Sequence, residues 1–346
     1  MKVDRTPAGA PGRGMNRRTF LGTAGVGVGA AWLALAPGRA ARAAASAWQP
    51  TGPIRLVVPY PPGGGIDIVG RFIAPKLQER VGQTVIVDNR AGAVGMIGSE
   101  HVYRAPPDGH TYVVASADTH SINPHVYSDL RYNAREFSPA AAIARLDYMF
   151  VARPGLPAST IEEVVQMARQ KELTYASSGV GSSAQVVTEA LKARYGLKLM
   201  HVPYGGSGPA AAAIMGEQVD LLMVPIAIAL ASRTKMKLLG VASDARFEGA
   251  PDIPSLSEQG YPIGLEAAWI GLMGPPRTPR AALERINHEV DGIVREAGTR
   301  ERLLNLGLMP YTASLDEFAA NVDAAYERWG NVVKQAGIKV DRAAAG

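Results

Sequence analysis

Short apolar runs alternate along this chain with segments in which apolar residues recur every three to four positions. The run Ile54–Val58 ends at Pro59 and predicts a strand, whereas the apolar positions in 66–80 share one face of a helix. The same reasoning predicts further strands at 85–87, 112–115, 148–151, 173–176, 199–202, 219–224 and 237–241. It predicts further helices at 96–103, 160–170, 182–195, 207–215, 280–296, 299–306 and 315–336.

This alternation of strands and helices is typical of an α/β fold with a mostly parallel sheet. Natural crossovers near Tyr148 and Val241 divide the chain into two lobes. Lobe 1 is expected to comprise residues 48–145 and 244–346, and lobe 2 residues 146–243. The chain is long enough for two lobes of roughly 100–200 residues each.

Residues 1–43 have the pattern of an export signal. Arg17-Arg18 forms a twin-arginine motif, a run of small and apolar residues follows at 21–36, and Ala41-Arg42-Ala43 is an A-x-A peptidase site. We therefore expect Tat export, cleavage near Ala43 and a mature protein in the periplasm. Later stretches are too short or too interrupted by charge and proline for a membrane span, so we expect the mature protein to be soluble.

The basic character of the chain belongs to this leader. The whole chain has a formal net charge of +5, but residues 1–43 contain seven basic residues and one acid, which leaves about −1 for the remainder. A nucleic-acid partner is therefore not expected. The chain has no cysteine, which excludes disulfides and thiol nucleophiles, and its six histidines lack metal-ligand spacing. No metal and no cofactor are predicted.

Glycine-rich corners join predicted strands to predicted helices at three places. The first is 60–67, where three glycines allow close approach to the backbone and the following helix start offers free amides to an anion. Its candidate ligand-binding residues are Tyr60, Pro61, Gly63, Gly64, Gly65 and Asp67. A simple strand-to-helix turn is the alternative, and for Asp67 a bracing role in the loop is favoured over direct contact.

The second corner, at 177–183, adds hydroxyl groups to the same arrangement, and the third, at 202–209, contains Tyr204. The candidate ligand-binding residues of the second corner are Ser177, Ser178, Gly181, Ser182 and Ser183. Ligands of α/β sheets gather at the carboxyl ends of strands. These corners therefore predict a cleft whose two walls present helix N-termini to an acidic ligand. A capped helix start without a ligand is the alternative for the second corner.

Signals for catalysis are weak. The sequence has no Gly-x-Ser-x-Gly elbow, no P-loop and no His-Glu-x-x-His motif. A periplasmic hydrolase that uses Ser177 or Ser182 with a distant histidine is a rival hypothesis without a supporting arrangement. Asp118 and His120 could form an acid–base pair, although packing within their loop is the simpler interpretation. We expect that the protein is not an enzyme.

The segment 53–67 resembles the Bug family, the TctC-like substrate-binding proteins of tripartite tricarboxylate transporters. The resemblance covers nearly the whole mature chain. It recurs in order at 88–93, 107–111, 123–127, 175–182, 201–204, 216–220, 251–255 and 269–272.

The resemblance implies a two-lobed, type II-like periplasmic-binding-protein fold that closes around a small organic acid. It implies that the corners at 60–67 and 177–183 bind the ligand through amides and hydroxyls, with Ser116, Thr119 and Tyr204 as pocket walls. Family members often have lysine at the position of Gly205 and a polar residue after the strand that ends at Pro225. These departures favour a mono- or dicarboxylate with an apolar body over a tricarboxylate.

These features together predict an extracytoplasmic solute-binding protein. It would capture a small carboxylate by lobe closure and deliver it to a membrane permease of the tripartite tricarboxylate type, acting as a monomer. The alternative is a sensory protein that presents its bound ligand to a signalling receptor.

Overall fold

The computed structural model describes residues 48–263 and 268–338, which form two β-sheets flanked by helices. The predicted export signal and its cleavage site at Ala43 lie outside the described residues. Among the helices in these two ranges, none combines the length and the apolarity needed to cross a bilayer.

The first sheet is formed by β1 (Ile54–Val58), β2 (Val85–Asn89), β3 (Thr111–Ser116), β4 (Ser138–Leu146), β10 (Ala268–Gly274) and β11 (Leu308–Pro310). Their spatial order is β11-β4-β10-β3-β1-β2. Strand β1 runs parallel to both β2 and β3, whereas β10 is antiparallel to β3 and β4. The loops that follow β1 and β3 therefore leave the sheet at the same edge.

The second sheet is formed by β5 (Tyr148–Ala152), β6 (Leu173–Ser177), β7 (Leu199–Pro203), β8 (Leu221–Pro225) and β9 (Lys237–Val241). Their spatial order is β7-β6-β8-β5-β9. Strand β6 is parallel to β7 and β8, and β5 is antiparallel to β8 and β9. The start of β5 therefore lies at the edge where β6 and β8 end.

The helices that flank the sheets are α1 (Gly65–Val81), α2 (Met96–Tyr103), α3 (Asn123–Val126), α4 (Ile161–Gln170), α5 (Ser183–Tyr195), α6 (Ser207–Met215), α7 (Ile226–Ala231), α8 (Arg280–Val294), α9 (Ala297–Asn305) and α10 (Leu315–Ala336). Helix α4 begins where the sequence predicts. Thr160 Oγ1 accepts a hydrogen bond from the Glu163 amide, and the Glu163 carboxylate accepts one from the Thr160 amide, both at 3.2 Å. This capping box satisfies two amides that a helix start otherwise leaves unpaired.

Helix α1 is held against the first sheet by its apolar face. Val69, Ile73 and Leu77 are fully buried and pack with Leu56 and Val58 of β1. Each fully buried side chain of this kind contributes roughly 1.5–3 kcal/mol relative to exposure. This packing fixes the first turn of α1 beside the end of β1.

The α/β class and the two-sheet architecture agree with the sequence, but the sheets are mixed rather than mostly parallel. Every antiparallel pair contains β4, β5 or β10, the strands next to the passages between the sheets. The sequence pattern missed β4 and β10 as strands. Strand β4 is rich in alanine and β10 contains glycine and methionine, and these residue types give little strand signal. Helix α7 was also missed.

The chain passes from the first sheet to the second through one residue, Asp147, between β4 and β5. The return comes later than residue 244, where the sequence places it. Ser255 makes a parallel bridge to Val241, and Phe247, Ala250 and Ile253 belong to the apolar core of the second sheet. The segment after β9 stays with the second sheet because these buried side chains anchor it there.

Candidate functional site

Residues from the two sheets meet where the loops after β1 and β3 face the first turn of α5. The amide and the hydroxyl of Ser183 stabilise the ionised form of the Asp118 carboxyl group. Burial, and then the negative charge of Asp118, raise the pKa of Tyr60 and of Tyr148. The Tyr148 hydroxyl shares a hydrogen bond with the Ser183 hydroxyl. Tyr60 and Asp118 follow strands of the first sheet, whereas Tyr148 begins β5 of the second sheet and Ser183 begins α5, so this cluster joins the two halves.

Polar atoms in this cluster are left without partners. Three buried atoms form no hydrogen bond within the described part of the chain: Tyr60 Oη, Ser116 Oγ and Asp118 Oδ1. Buried polar groups in proteins are nearly always hydrogen-bonded. Three such atoms at one place indicate a position where a bound molecule or ordered water completes the hydrogen bonding.

The loop after β1 exposes its backbone. Gly63, Gly64 and Gly65 are exposed, and Gly63 has a φ of +84°, a conformation that favours glycine. No side chain caps the start of α1. The amides of Gly65 and Ile66 have no acceptor among the residues of the described ranges. Free amides at a helix start favour an anion.

Asp67 braces this loop from inside. Its carboxylate accepts hydrogen bonds from the Gly63 amide at 2.8 Å, from Arg71 Nε at 2.9 Å and from Asn89 Nδ2 at 2.7 Å. Burial alone would raise the pKa of Asp67, but these donors together lower it. Both carboxylate oxygens are occupied, so the structure supports the bracing role and leaves Asp67 no free oxygen for a ligand.

The chain after β3 forms a turn of π-helix at Asp118–Ile122. Thr119 Oγ1 accepts from the Ser116 amide at 3.2 Å, donates to the Ser116 carbonyl at 3.0 Å and lies 2.8 Å from His120 Nδ1. Thr119 is fully buried, so its side chain holds the turn together rather than lining a surface. This turn brings Asp118 and the Ser116 hydroxyl to the cluster.

The suggested Asp118–His120 acid–base pair is not formed. His120 Nε2 has no partner within the described residues, and the ring packs against Tyr132, Phe137 and Trp269. Burial lowers the pKa of His120 to about 3, so the ring is neutral at ordinary pH. The histidine is part of the core.

The loop after β6 uses two of its four hydroxyl groups internally. Ser177 Oγ contacts the Gly179 carbonyl at 3.0 Å and His201 Nε2 at 2.6 Å. Ser182 Oγ donates to the Gly179 carbonyl at 2.7 Å and accepts from the Gln185 amide. These two side chains, predicted as ligand contacts, hold the loop in shape because each has partners within it.

Other predicted residues of this loop face the first sheet. The hydroxyl of Tyr127, the residue after α3, donates to the Val180 carbonyl at 3.1 Å, and a Cβ placed on Gly181 would lie 3.0 Å from that hydroxyl. Gly181, which has a φ of +78°, therefore permits the close approach of the two halves. Ser178 is half-buried beside it.

Tyr204 is partly buried on the second sheet. Its amide donates to the Ser177 carbonyl at 3.1 Å, and its ring packs with the apolar core of the second sheet. It supports the loop after β6 from behind.

Sequence reasoning missed the roles of Tyr148, Tyr127 and Asp118 in this region. The first two were assigned only to a strand and to a family motif, and Asp118 to loop packing. Their positions depend on how the two sheets approach each other, and no local pattern carries that information. Within the described residues, no group of three or more histidine or acidic side chains is placed to hold a metal ion.

The two sheets are joined by single-chain passages, and facing loops and unpaired polar atoms lie between them. These features define the class of two-lobed binding proteins. Solved structures support this class. R. palustris Rpa4515 with adipate is 30% identical, with a TM-score of 0.77 over 84% of this chain and 99% of that one. MatC from Rhodopseudomonas palustris with bound malate is 28% identical, with a TM-score of 0.73 over 82% of this chain and 99% of that one. The predicted fold class is confirmed.

Residues 69–338 match the model of the tripartite tricarboxylate transporter family receptor, and the chain belongs to this family. A UPF0065 protein of Pseudomonas sp. strain P51 is 34% identical over 82% of this chain and 86% of its own length. Protein BugT of Bordetella pertussis is 28% identical over 84% of this chain and 91% of its own length. The resemblance to the Bug and TctC proteins is thereby confirmed, and this is a family of solute-binding proteins.

Proposed function

We propose that this protein binds a small organic acid between its two lobes and delivers it to a membrane permease of the tripartite tricarboxylate type. The observation that carries the proposal is the group of unpartnered buried atoms, Tyr60 Oη, Ser116 Oγ and Asp118 Oδ1, at the junction of the two sheets. The relatives with adipate and with malate support a carboxylate as the ligand.

The acid end of the ligand would lie on the uncapped first turn of α1. Neither the loop at 60–67 nor the loop at 177–183 contains a lysine or an arginine. The negative charge is therefore neutralised by amides and by the positive end of the helix dipole. A ligand that contacts both lobes binds the closed form more tightly than the open form, and this difference in affinity drives closure.

We also propose that the protein works in the periplasm after Tat export and cleavage near Ala43. The description of a related structure as a periplasmic transporter supports this location.

Gly64→Val tests the loop after β1. A Cβ at Gly64 meets only the Pro61 carbonyl at 3.5 Å, so the variant should fold, while its side chain blocks access to the α1 amides. In a thermal-shift screen against small carboxylic acids, we expect the acid that stabilises the wild type to lose at least tenfold in affinity. Ligand binding raises the melting temperature through linkage.

Gly52→Val is the matched control. Gly52 precedes β1, at the end of the strand away from the loop, and a Cβ there meets nothing within 4 Å. It should bind the acid as the wild type does. Equal affinity in Gly64→Val and Gly52→Val would remove the loop after β1 from the site.

The 2.6 Å contact between Ser177 Oγ and His201 Nε2 is the one observation that favours a hydrolase. Ser177 is fully buried, and its hydroxyl also contacts the carbonyl and the amide of Gly179. When the Ser177 hydroxyl donates its proton to the Gly179 carbonyl, His201 Nε2 must be the donor in its contact with Ser177 Oγ. His201 then cannot act as a base for Ser177. The contact between Ser177 and His201 is explained by its contribution to the stability of the loop after β6. Solute binding accounts for the remaining features.

A further inference from the structure

Asp118 places a carboxyl group inside the proposed binding site. Its Oδ1 atom is buried and unpartnered, and the residue forms no ion pair within the described ranges. A carboxylate removed from water is unfavourable unless donors or a positive charge compensate it. An acidic side chain is therefore an unexpected component of a site for organic acids.

The surroundings of Asp118 supply too few donors. Burial raises the pKa of Asp118, and the amide and hydroxyl of Ser183 oppose that rise without cancelling it. The hydroxyl of Ser183 is also engaged with Tyr148. The Tyr60 hydroxyl lies near the carboxylate, but neither it nor the Ser116 hydroxyl donates to Oδ1. The carboxylate can only accept hydrogen bonds when ionised, so the missing group is a donor.

We propose that Asp118 determines specificity by selecting organic acids that carry a hydrogen-bond donor, a protonated amine or a hydroxyl, away from the carboxylate. This inference rests on the proposed function. The ligand's carboxylate lies on the α1 amides and its donor lies on Asp118 Oδ1. When Asp118 is ionised, a plain diacid places a second negative charge beside it and is rejected by repulsion.

Matched sets of acids test this directly. At each length of four, five and six carbons, calorimetry compares the plain diacid with the acid that carries a terminal hydroxyl and the acid that carries a terminal amine. At six carbons these are adipate, 6-hydroxyhexanoate and 6-aminohexanoate. For the wild type at pH 7, we expect the tightest binder to carry a donor and to exceed its matched diacid at least tenfold.

Asp118→Asn identifies the residue responsible. The amide keeps the shape and removes the charge, so the diacids should gain at least tenfold in affinity. Preference for the amine should disappear, whereas preference for the hydroxyl, which the amide oxygen can still accept, should persist. Asp118→Ser is the second variant if Asn does not fold. Glu162→Gln, on the exposed face of α4, controls for the loss of one negative charge.

The outcomes separate the two proposals. Wild-type protein that binds diacids as well as, or better than, the donor-bearing acids overturns the role of Asp118 and leaves the proposed function standing. A donor preference that Asp118→Asn and Asp118→Ser both retain unchanged also overturns it. Absence of binding by every acid in the sets and in the wider carboxylate screen overturns the proposed function and this inference together.

Discussion

Two buried carboxylates of this protein have opposite surroundings. Asp67 receives hydrogen bonds from an amide, an arginine and an asparagine. Asp147, 7% exposed, has an Oδ1 atom without a partner in the described chain. Burial raises the pKa of Asp147 to about 6, with Arg145 acting weakly against it, whereas the pKa of Asp67 is lowered. The two residues therefore affect stability in opposite directions as pH changes.

Asp67→Asn should destabilise the protein by roughly 1–3 kcal/mol at pH 7, because it leaves donors of the loop without a charged acceptor. The folded-state pKa of Asp67 is below its unfolded value, so its contribution is present above the unfolded pKa. The contribution is lost as pH falls through the folded pKa. Urea unfolding at pH 7 and below pH 3 measures the difference. A constant difference at both pH values would contradict the hydrogen-bonding role.

Asp147→Asn should have the opposite effect. Between pH 3.8, the ordinary pKa of an aspartate, and about pH 6, the folded protein keeps a proton on Asp147 that the unfolded chain has lost. The wild type therefore loses stability as pH rises through this window. The variant avoids this loss and should be more stable at pH 8, by up to about 3 kcal/mol. The two proteins should have equal pH slopes well below pH 3.8, where this carboxyl is protonated in both the folded and the unfolded state. A variant less stable than the wild type at pH 8 would show that Asp147 has a partner in solution.

Residue roles were predictable from the sequence where they depend on local spacing. The bracing role of Asp67 follows from its place one turn into a helix after a glycine corner, and the structure supports it. The position of Asp118 opposite Ser183 required the approach of residues 65 positions apart in the chain. No local pattern encodes such a pair.

At the scale of elements, the loop after β6 is a rigid unit that connects a strand to α5. Ser177 links it to β7 through His201, whose ring stacks on Tyr175 with centroids 4.9 Å apart. Ser182 caps α5 from the same loop. The first turn of α5 is therefore held in place before any ligand arrives.

Ser177→Ala removes the centre of this hydrogen-bonded unit. We expect it to lower the free energy of unfolding by about 1–3 kcal/mol because the Gly179 amide and His201 lose a buried partner. Differential scanning calorimetry measures this loss. Turnover of chromogenic esters should be indistinguishable from buffer for both proteins. Turnover by the wild type that Ser177→Ala abolishes would favour the hydrolase.

Elements with strong periodicity, such as α4 and α10, were predicted nearly to the residue. Strand β4 was not, because its sequence is rich in alanine, which gives little strand signal. A Cβ placed on Gly271 of β10 would lie 2.5 Å from the Ala141 carbonyl. Close packing between neighbouring strands selects small residues, and small residues carry little information about strand structure.

At the scale of the whole molecule, the two sheets are connected by few passages. The first consists of Asp147 alone, and the segment after β9 remains packed on the second sheet up to Tyr261, whose amide donates to the Leu256 carbonyl. Lobe closure would be accommodated at these passages, where few backbone dihedrals need to change.

Closure predicts a change in size. Addition of a stabilising acid should reduce the radius of gyration measured by small-angle X-ray scattering, since the ligand favours the closed state. Gly64→Val at the same acid concentration should remain at the ligand-free value. An unchanged radius in the wild type at saturation would mean that binding occurs without closure.

The most direct test of the proposed site is a crystal structure of the wild-type protein with the tightest-binding acid. We expect the acid's carboxylate within hydrogen-bond distance of the Gly65 or Ile66 amide, and the rest of the ligand in contact with Tyr148 or the first turn of α5. A ligand bound elsewhere, or one that contacts a single lobe only, would contradict the proposal that the two lobes hold it together.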